Sequence, residues 1–292
     1  MQIKVVENDI RLDNYLTKEL DESRSQITKY IKSGNILVND KKVKTGYMIK
    51  KGDIIDIDYQ KEDDNIVPEK MDLDIVYEDD DVIVINKANG IVTHPAPGNY
   101  HGTLVNGLLY HTNLSDLNGE VRPGIVHRID AYTTGLLMIA KNNKAHEKLS
   151  KELHDKKTKR KYVALVWGVI KNDSGTIDAP IGRSLKDRKK MAINPNGKNS
   201  ITHFKVLKRY KDATLIELTL ETGRTHQIRV HMDYIGHPVV NDPVYGNREI
   251  IDNSGQMLHA KTLGFTHPVT GKYMEFDSEL PDSFKNILDK FK

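Results

Sequence analysis

From Gly124 to Lys141 the chain runs Gly124-Ile125-Val126, then a polar stretch from His127 to Thr134, then Gly135-Leu136-Leu137-Met138-Ile139-Ala140. Two apolar runs joined by so short a polar link constrain the fold strongly. Gly124 to Val126 and Leu136 to Ala140 read as short buried strands, and Thr133-Thr134-Gly135 supplies hydroxyl acceptors and a residue free to take positive φ. The link carries one carboxylate, Asp130, which this arrangement holds at a sheet edge. An aspartate in a turn also bonds its own backbone without doing chemistry, so the rest of the chain decides its role.

A chain of 292 residues is long for one core, and two domains are expected. Cysteine is absent, which excludes disulfides, thiolate metal sites and a cysteine nucleophile, and suits a reducing cytoplasm. No run approaches the ~20 apolar residues that span a bilayer, so no membrane partner is expected. Net charge is only +3, but its distribution is uneven: Arg24 to Lys51 holds eight basic residues against Asp40, whereas Glu62 to Asp81 holds ten acidic residues against Lys70. That contrast marks a boundary. The reading is a domain over 1–60, an acidic linker over 61–72 and a second domain over 73–292.

In the first domain Leu12, Tyr15, Leu16 and Leu20 fall at helical spacing. Ser23 to Gln26 opens a second helix with Ile27, Tyr30 and Ile31 inside, and Gly34 suits its C-terminal cap. Ile36 to Val43 reads as strand, turn and strand, and Gly52 to Asp58 as another strand. The second domain reads as mixed, with strands at Asp81 to Ile85, Gly124 to Val126, Leu136 to Ala140, Tyr162 to Val169, Ile201 to Val206 and Thr214 to Leu220. Helices are expected at Leu104 to Tyr110, Asn143 to Leu153, Thr225 to Ile235 and the C-terminus, where Phe284, Ile287, Leu288 and Phe291 form an apolar stripe.

The segment His127-Arg128-Ile129-Asp130, followed two positions later by Thr133-Thr134-Gly135, resembles the signature of RluA-type pseudouridine synthases. Further blocks fit in order: Val84 to Lys87, Gly90 to Pro95, Gly102-Thr103-Leu104, Lys161 to Gly168, Gly223 to Met232, Ile235 to Pro238 and Leu258 to Ala260. The His94-Pro95 and Gly102-Thr103 spacing is nearest to the RluD branch, and the resemblance covers the chain from about Met71 onward. It implies an α+β fold with a mixed, largely antiparallel sheet. The order of elements in the first domain is similar to the small S-four-like RNA-binding module. Arg24, Lys29, Lys32, Lys42 and Lys44 are its candidate phosphate contacts, giving affinity and register without sequence information.

The implied reaction detaches uracil from its sugar, rotates it and rejoins it through carbon, on a base flipped out of its stack. By resemblance Asp130 is the essential carboxylate, acting as nucleophile or as base. Arg229 pairs with it and keeps it ionised, and Tyr162 stacks on the uracil. Arg128, His127, Thr133, Arg224 and His226 are the candidate substrate-binding residues, with His127 ordering the turn. The basic runs Lys156 to Lys161 and Arg183 to Lys190 are candidate grips on flanking RNA.

His226 and His231 lie five apart and miss the i, i+4 spacing of helical zinc sites; no metal is expected. No phosphate loop or dinucleotide fingerprint occurs, and isomerisation needs no cofactor. The expected partner is large-subunit ribosomal RNA, and the protein is expected to act as a monomer in the cytoplasm. One departure stands out: Ala131-Tyr132 occupies positions where relatives carry a basic residue and an aspartate. It is the one feature favouring a rival reading, a noncatalytic RNA-binding ribosome-assembly factor with the same fold.

Overall fold

The computed structural model describes residues 1–20, 22, 24–58, 66–96, 99–119, 121–188 and 190–292. They form two compact units, Met1–Asp64 and Asn65–Lys292. Ser23, residues 61–65 of the expected linker and Lys189 lie outside the described residues.

The first unit contains β1 (Gln2–Lys4), β2 (Ile10–Arg11), α1 (Leu12–Glu19), α2 (Arg24–Ser33), β3 (Ile36–Val38), β4 (Met48–Ile49) and β5 (Ile54–Ile57). Leu12, Leu16, Ile27, Ile31, Ile36, Ile49 and Ile55 are buried together as its core, the helical stripes meeting one face of the antiparallel sheet β1-β5-β3. Gly34, at φ +88°, closes α2: its N–H and that of Asn35 return to the carbonyls of Ile31 and Tyr30. The expected hairpin over Ile36 to Val43 is corrected. Asn39 and Asp40 both take positive φ and make the turn, but pairing beyond it is a single bridge from Lys41 to Val38.

The second unit contains β6 (Ile75–Glu78), β7 (Val82–Lys87), α3 (Leu104–His111), β8 (Thr134–Ala140), α4 (Asn143–His154), β9 (Lys159–Trp167), β10 (Ser174–Asp178), β11 (Ile181–Arg183), β12 (Met191–Ile193), β13 (Ile201–Arg209), β14 (Ala213–Leu220), α5 (Gln227–Tyr234), β15 (Leu258–Thr266), β16 (Tyr273–Asp277) and α6 (Asp282–Asp289). A nine-stranded sheet runs β10-β13-β14-β9-β15-β8-β7-β6, with β16 also on β15. Its pairs are antiparallel except β15 with β8. Strand β8 is buried at every residue, which explains its unbroken apolar sequence. Among the described residues no helix is long and apolar enough to cross a membrane.

Two features position the site. Ala260 on β15 pairs with Gly135 on one side and Tyr162 on the other, so the turn that enters β8 and the tyrosine of β9 lie one strand apart. Gly135 takes φ +107°, and a Cβ there would lie 2.3 Å from the Ala260 carbonyl oxygen; only glycine lets β8 approach β15 at this point. The expected strand Gly124 to Val126 is corrected. Only Ile125 pairs, by one bridge to Ile139, because Gly124 turns at φ +69° and the segment bends across β8.

Candidate active site

The turn after Ile129 is closed by the Thr133 N–H donating to the Asp130 carbonyl at 3.0 Å. Lys87, 1% exposed at the end of β7, anchors it from behind, donating to the carbonyls of Ala88 and Ala131 at 2.8 Å each. Burial pushes the Lys87 ammonium down to about 7, against the pull of Asp130. Thr133 is buried and accepts from the Gln256 amide at 3.1 Å. It shapes the turn and also lines the cleft in front of it.

Arg229 projects from α5 and is 4% exposed. Its Nη1 donates to Asp130 Oδ2 at 3.0 Å, while Nε and Nη2 grip Asp242 at 2.7 and 2.8 Å. Burial opposes its charge, but the doubly bonded Asp242, with Asp130, raises its pKa overall. The guanidinium also lies over the Tyr245 ring, 5.0 Å from the centroid. One Asp130 oxygen is thus fixed by Arg229 and the other faces His226, whose Nε2 is 3.8 Å away.

His226 caps α5 in the left-handed conformation, φ +56°, so the helix starts at Gln227 and not at the expected Thr225. The Tyr245 hydroxyl accepts from the Met191 N–H at 3.0 Å and meets His226 Nδ1 at 2.8 Å. Donating to Nδ1 satisfies the hydroxyl and leaves the histidine proton on Nε2, toward Asp130. Burial lowers the His226 pKa, which keeps the ring neutral.

Asp130, Tyr162, Arg229, Arg128, His127, Thr133, Arg224 and His226 all line one cleft of about 550 Å³. That is within the ~300–1,000 Å³ usual for small-molecule sites. Tyr162 is 6% exposed, and burial raises its phenol pKa. Among the described residues its hydroxyl has no hydrogen-bond partner. Tyr162→Phe is therefore expected to leave the stability within about 1 kcal/mol of wild type and to lower turnover about 10²-fold. A loss of stability in thermal unfolding with unchanged turnover would mark a core tyrosine instead. Arg128 Nη1 donates to His94 Nε2 at 3.1 Å, at the mouth of the cleft. Arg224 Nε donates to the Asn199 carbonyl at 3.0 Å.

His127 Nε2 accepts the Met138 N–H at 3.1 Å, tying the turn to β8. Burial, with the charge of Arg160, pushes its pKa down to about 3. The unfolded chain therefore binds the proton more readily below about pH 6.5. Stability is expected to be unaffected above that value and to fall by about 1–2 kcal/mol by pH 5. His127→Gln should flatten this part of a melting-temperature profile, and an equal slope in both proteins would refute the assignment.

The basic runs divide. Lys156 lines the cleft but pairs with Glu221 at 2.7 Å, while Lys159 and Lys161 pair with Glu275 and Glu217 at 2.8 and 2.9 Å. Lys190 Nζ donates to the Val244 carbonyl and Arg183 to that of Arg188. In the first unit Arg24 is committed to Asp13, which also holds Arg11, and its guanidinium is structural in the free protein. The Asp13 carboxyl is drawn down to about 2, first by Arg11, with Arg24 adding to it. Lys29, Lys32, Lys42 and Lys44 are exposed. The Lys42 ammonium lies beside Gly34 at the C-terminal end of α2, a favourable place for a cation.

The histidines that invite a metal are engaged. His231 bonds Thr202 and the Ala179 carbonyl. Asp79, Asp81 and His267 come together, but His267 Nδ1 accepts from Val269 and Thr270, so its Nε2–H donates to Asp79. That carboxylate also accepts from Tyr77, Asp81 and Val82, which leaves it saturated.

Sequence reasoning missed Lys87, Asp242 and Tyr245. Lys87 had a signal, a cation ending a strand that opens on four apolar residues. Asp242 and Tyr245 sit in an irregular segment with no periodicity to mark them.

A cleft rich in guanidinium groups, with an arginine-braced carboxylate and a tyrosine on its walls, suits an enzyme whose substrate is anionic, as a nucleic acid is. The RNA pseudouridylate synthase family model matches residues 81–234, and the S4 domain model matches 10–55. The uncharacterized RNA pseudouridine synthase YlyB of Bacillus subtilis is 53% identical over 97% of this chain and 94% of its own length. Ribosomal large subunit pseudouridine synthase D of Pseudomonas aeruginosa is 42% identical over 95% and 91%. The solved human RNA Pseudouridylate Synthase Domain Containing 1 is 28% identical, with a TM-score of 0.61 over 73% of this chain and 86% of that one. The chain belongs to the RNA pseudouridylate synthase family and is an RNA pseudouridine synthase.

Proposed function

We propose that this enzyme isomerises specific uridines of large-subunit ribosomal RNA, with Asp130 as the carboxylate that acts on the flipped nucleotide. The observation that carries the reading is the Asp130–Arg229 pair at 3.0 Å inside a basic cleft. Arg229 holds one carboxylate oxygen and orients the group when the base displaces water; the other oxygen meets the sugar–base bond. Tyr162 stacks on the uracil, and Arg128 enters the space the base vacates. His127 and Thr133 hold the turn, while Arg224 and His226 close around the nucleotide. Several relatives are named ribosomal large subunit pseudouridine synthase D, which supports the choice of RNA.

Residues 1–60 act in this reading as the RNA-binding module, joined through the acidic stretch 61–72 to a catalytic domain over 73–292, in a cytoplasmic monomer. The noncatalytic reading rested on Ala131-Tyr132. Neither residue lines the cleft: Lys87 holds the Ala131 carbonyl, and the Tyr132 ring packs on Gly255.

Carbodiimide primer extension on unmodified large-subunit RNA and on immature subunits tests the function. Stops made by wild type are expected at a few uridines. Their absence on both substrates would overturn the reading. Reversing Lys32, Lys42 and Lys44 to Glu is expected to weaken RNA binding and to lower the salt slope by about 0.7–0.9 for each lost phosphate contact. An unchanged slope would exclude these lysines from the interface.

A further inference from the structure

Arg160 is a wall of the cleft that the reaction as described leaves unused. It lies on β9, is 8% exposed, and lines the cavity. Among the described residues it makes no ion pair and no hydrogen bond, and its Nε is sealed from solvent without a partner. An arginine cannot shed its charge as a buried lysine can. A buried cation is costly unless paired, and the described residues offer this one no anion.

The two carboxylates that line the cleft are both taken. Asp130 belongs to Arg229, and Glu221 receives Lys156 at 2.7 Å and His203 at 2.9 Å. Six lysine and arginine side chains line the same space. The surplus is positive.

Space has also been kept for this side chain. A Cβ on Gly223 would lie 2.8 Å from Arg160 Nη1, while the Gly223 backbone is not in the left-handed region. A side chain at this position would displace the guanidinium, and the glycine leaves it this recess to occupy. Arg160 and Tyr162 are two apart on one strand and so share a face, about 6.6 Å along it. That step is comparable to the span from the base of a nucleotide to its phosphate.

We propose that Arg160, in the recess left by Gly223, binds one phosphodiester of the RNA next to the flipped uridine. The proposal rests on the pseudouridine synthase reading and adds to it the partner of this one cation. The phosphate supplies the missing anion and two acceptor oxygens in the planar geometry a guanidinium matches. Docking the phosphate here sets the depth to which the base enters beside Tyr162. The contact forms only when the nucleotide is seated, so it contributes to discrimination between flipped and stacked states.

The test uses the full chain and a synthetic stem-loop carrying a uridine that wild type modifies. A single methylphosphonate, which removes one phosphate charge, is moved through the linkages around that uridine. For wild type, one linkage is expected to raise Kd and KM about tenfold when neutralised. For Arg160→Met, binding should already be weaker by that factor, the salt slope lower by about 1, and the same methylphosphonate without further effect. Gly223→Ala keeps the arginine but displaces it, and should give the same pattern if Arg160→Met does not fold. Equal sensitivity of wild type and variants at every linkage would overturn the proposal. Conversion of the unmodified stem-loop by wild type separates that result from a failure of the pseudouridine synthase reading itself.

Discussion

Asp242→Ala is expected to destabilise the second unit by about 3–5 kcal/mol, the range for breaking a buried pair and leaving its partner uncompensated. Asp242 is fully enclosed and holds Arg229 through two hydrogen bonds. It also accepts the N–H groups of Val244 and Tyr245 at 2.9 and 3.0 Å. Removing it strands a buried guanidinium and two backbone donors together. Asp242→Asn keeps one oxygen for those donors and for Arg229 Nη2 but turns its NH2 toward the Arg229 Nε–H, so it loses the charge and one hydrogen bond, and its cost should be smaller than that of the alanine. Urea unfolding of the three proteins checks the order. A loss below about 1 kcal/mol for Asp242→Ala would mean that the pair is solvated and that Arg229 is held some other way. Turnover should fall in both variants, because Arg229 reaches Asp130 from the position Asp242 sets.

Asp130→Asn is expected to do the reverse, leaving the fold intact and abolishing the chemistry. Asparagine keeps an oxygen for Arg229 Nη1, and Arg229 keeps Asp242. What is lost is the anion, whether it serves as nucleophile or as base, and turnover should drop at least about 10³-fold. Affinity for RNA should remain, since the other cleft cations are untouched. Residual activity above a tenth of wild type would move the chemistry to another residue.

Much of this was legible in the chain. The helices of both units follow from 3.6-residue apolar spacing, and β8 and β14 from an apolar run and an alternation. Asp130, Tyr162 and Arg229, proposed on a resemblance of spelled blocks, are brought to one cleft because Ala260 bridges the β8 and β9 registers. That bridge was not legible. Strand β15 mixes His259, Lys261, Thr262 and Gly264 with apolar residues, and its pairing partners are distant in sequence. Gly124 to Val126 looked like a strand because burial, and not pairing, dictates its apolar character. Asp242 and Tyr245 carry no local signal at all; only the fold shows that they brace Arg229. Arg160 was hidden inside a basic run that reads as surface, although its neighbours Lys159 and Lys161 take the exposed ion pairs and it does not.

A pseudouridine synthase replaces the C5–H bond of a uridine in RNA with a bond to the sugar. Release of tritium to water from large-subunit ribosomal RNA transcribed with uridine labelled at C5 measures that event directly. Wild type should release label in a small whole number of equivalents per RNA, and Asp130→Asn should release none. Binding of the RNA by wild type with no release of tritium, from naked RNA or from immature subunits, would contradict it.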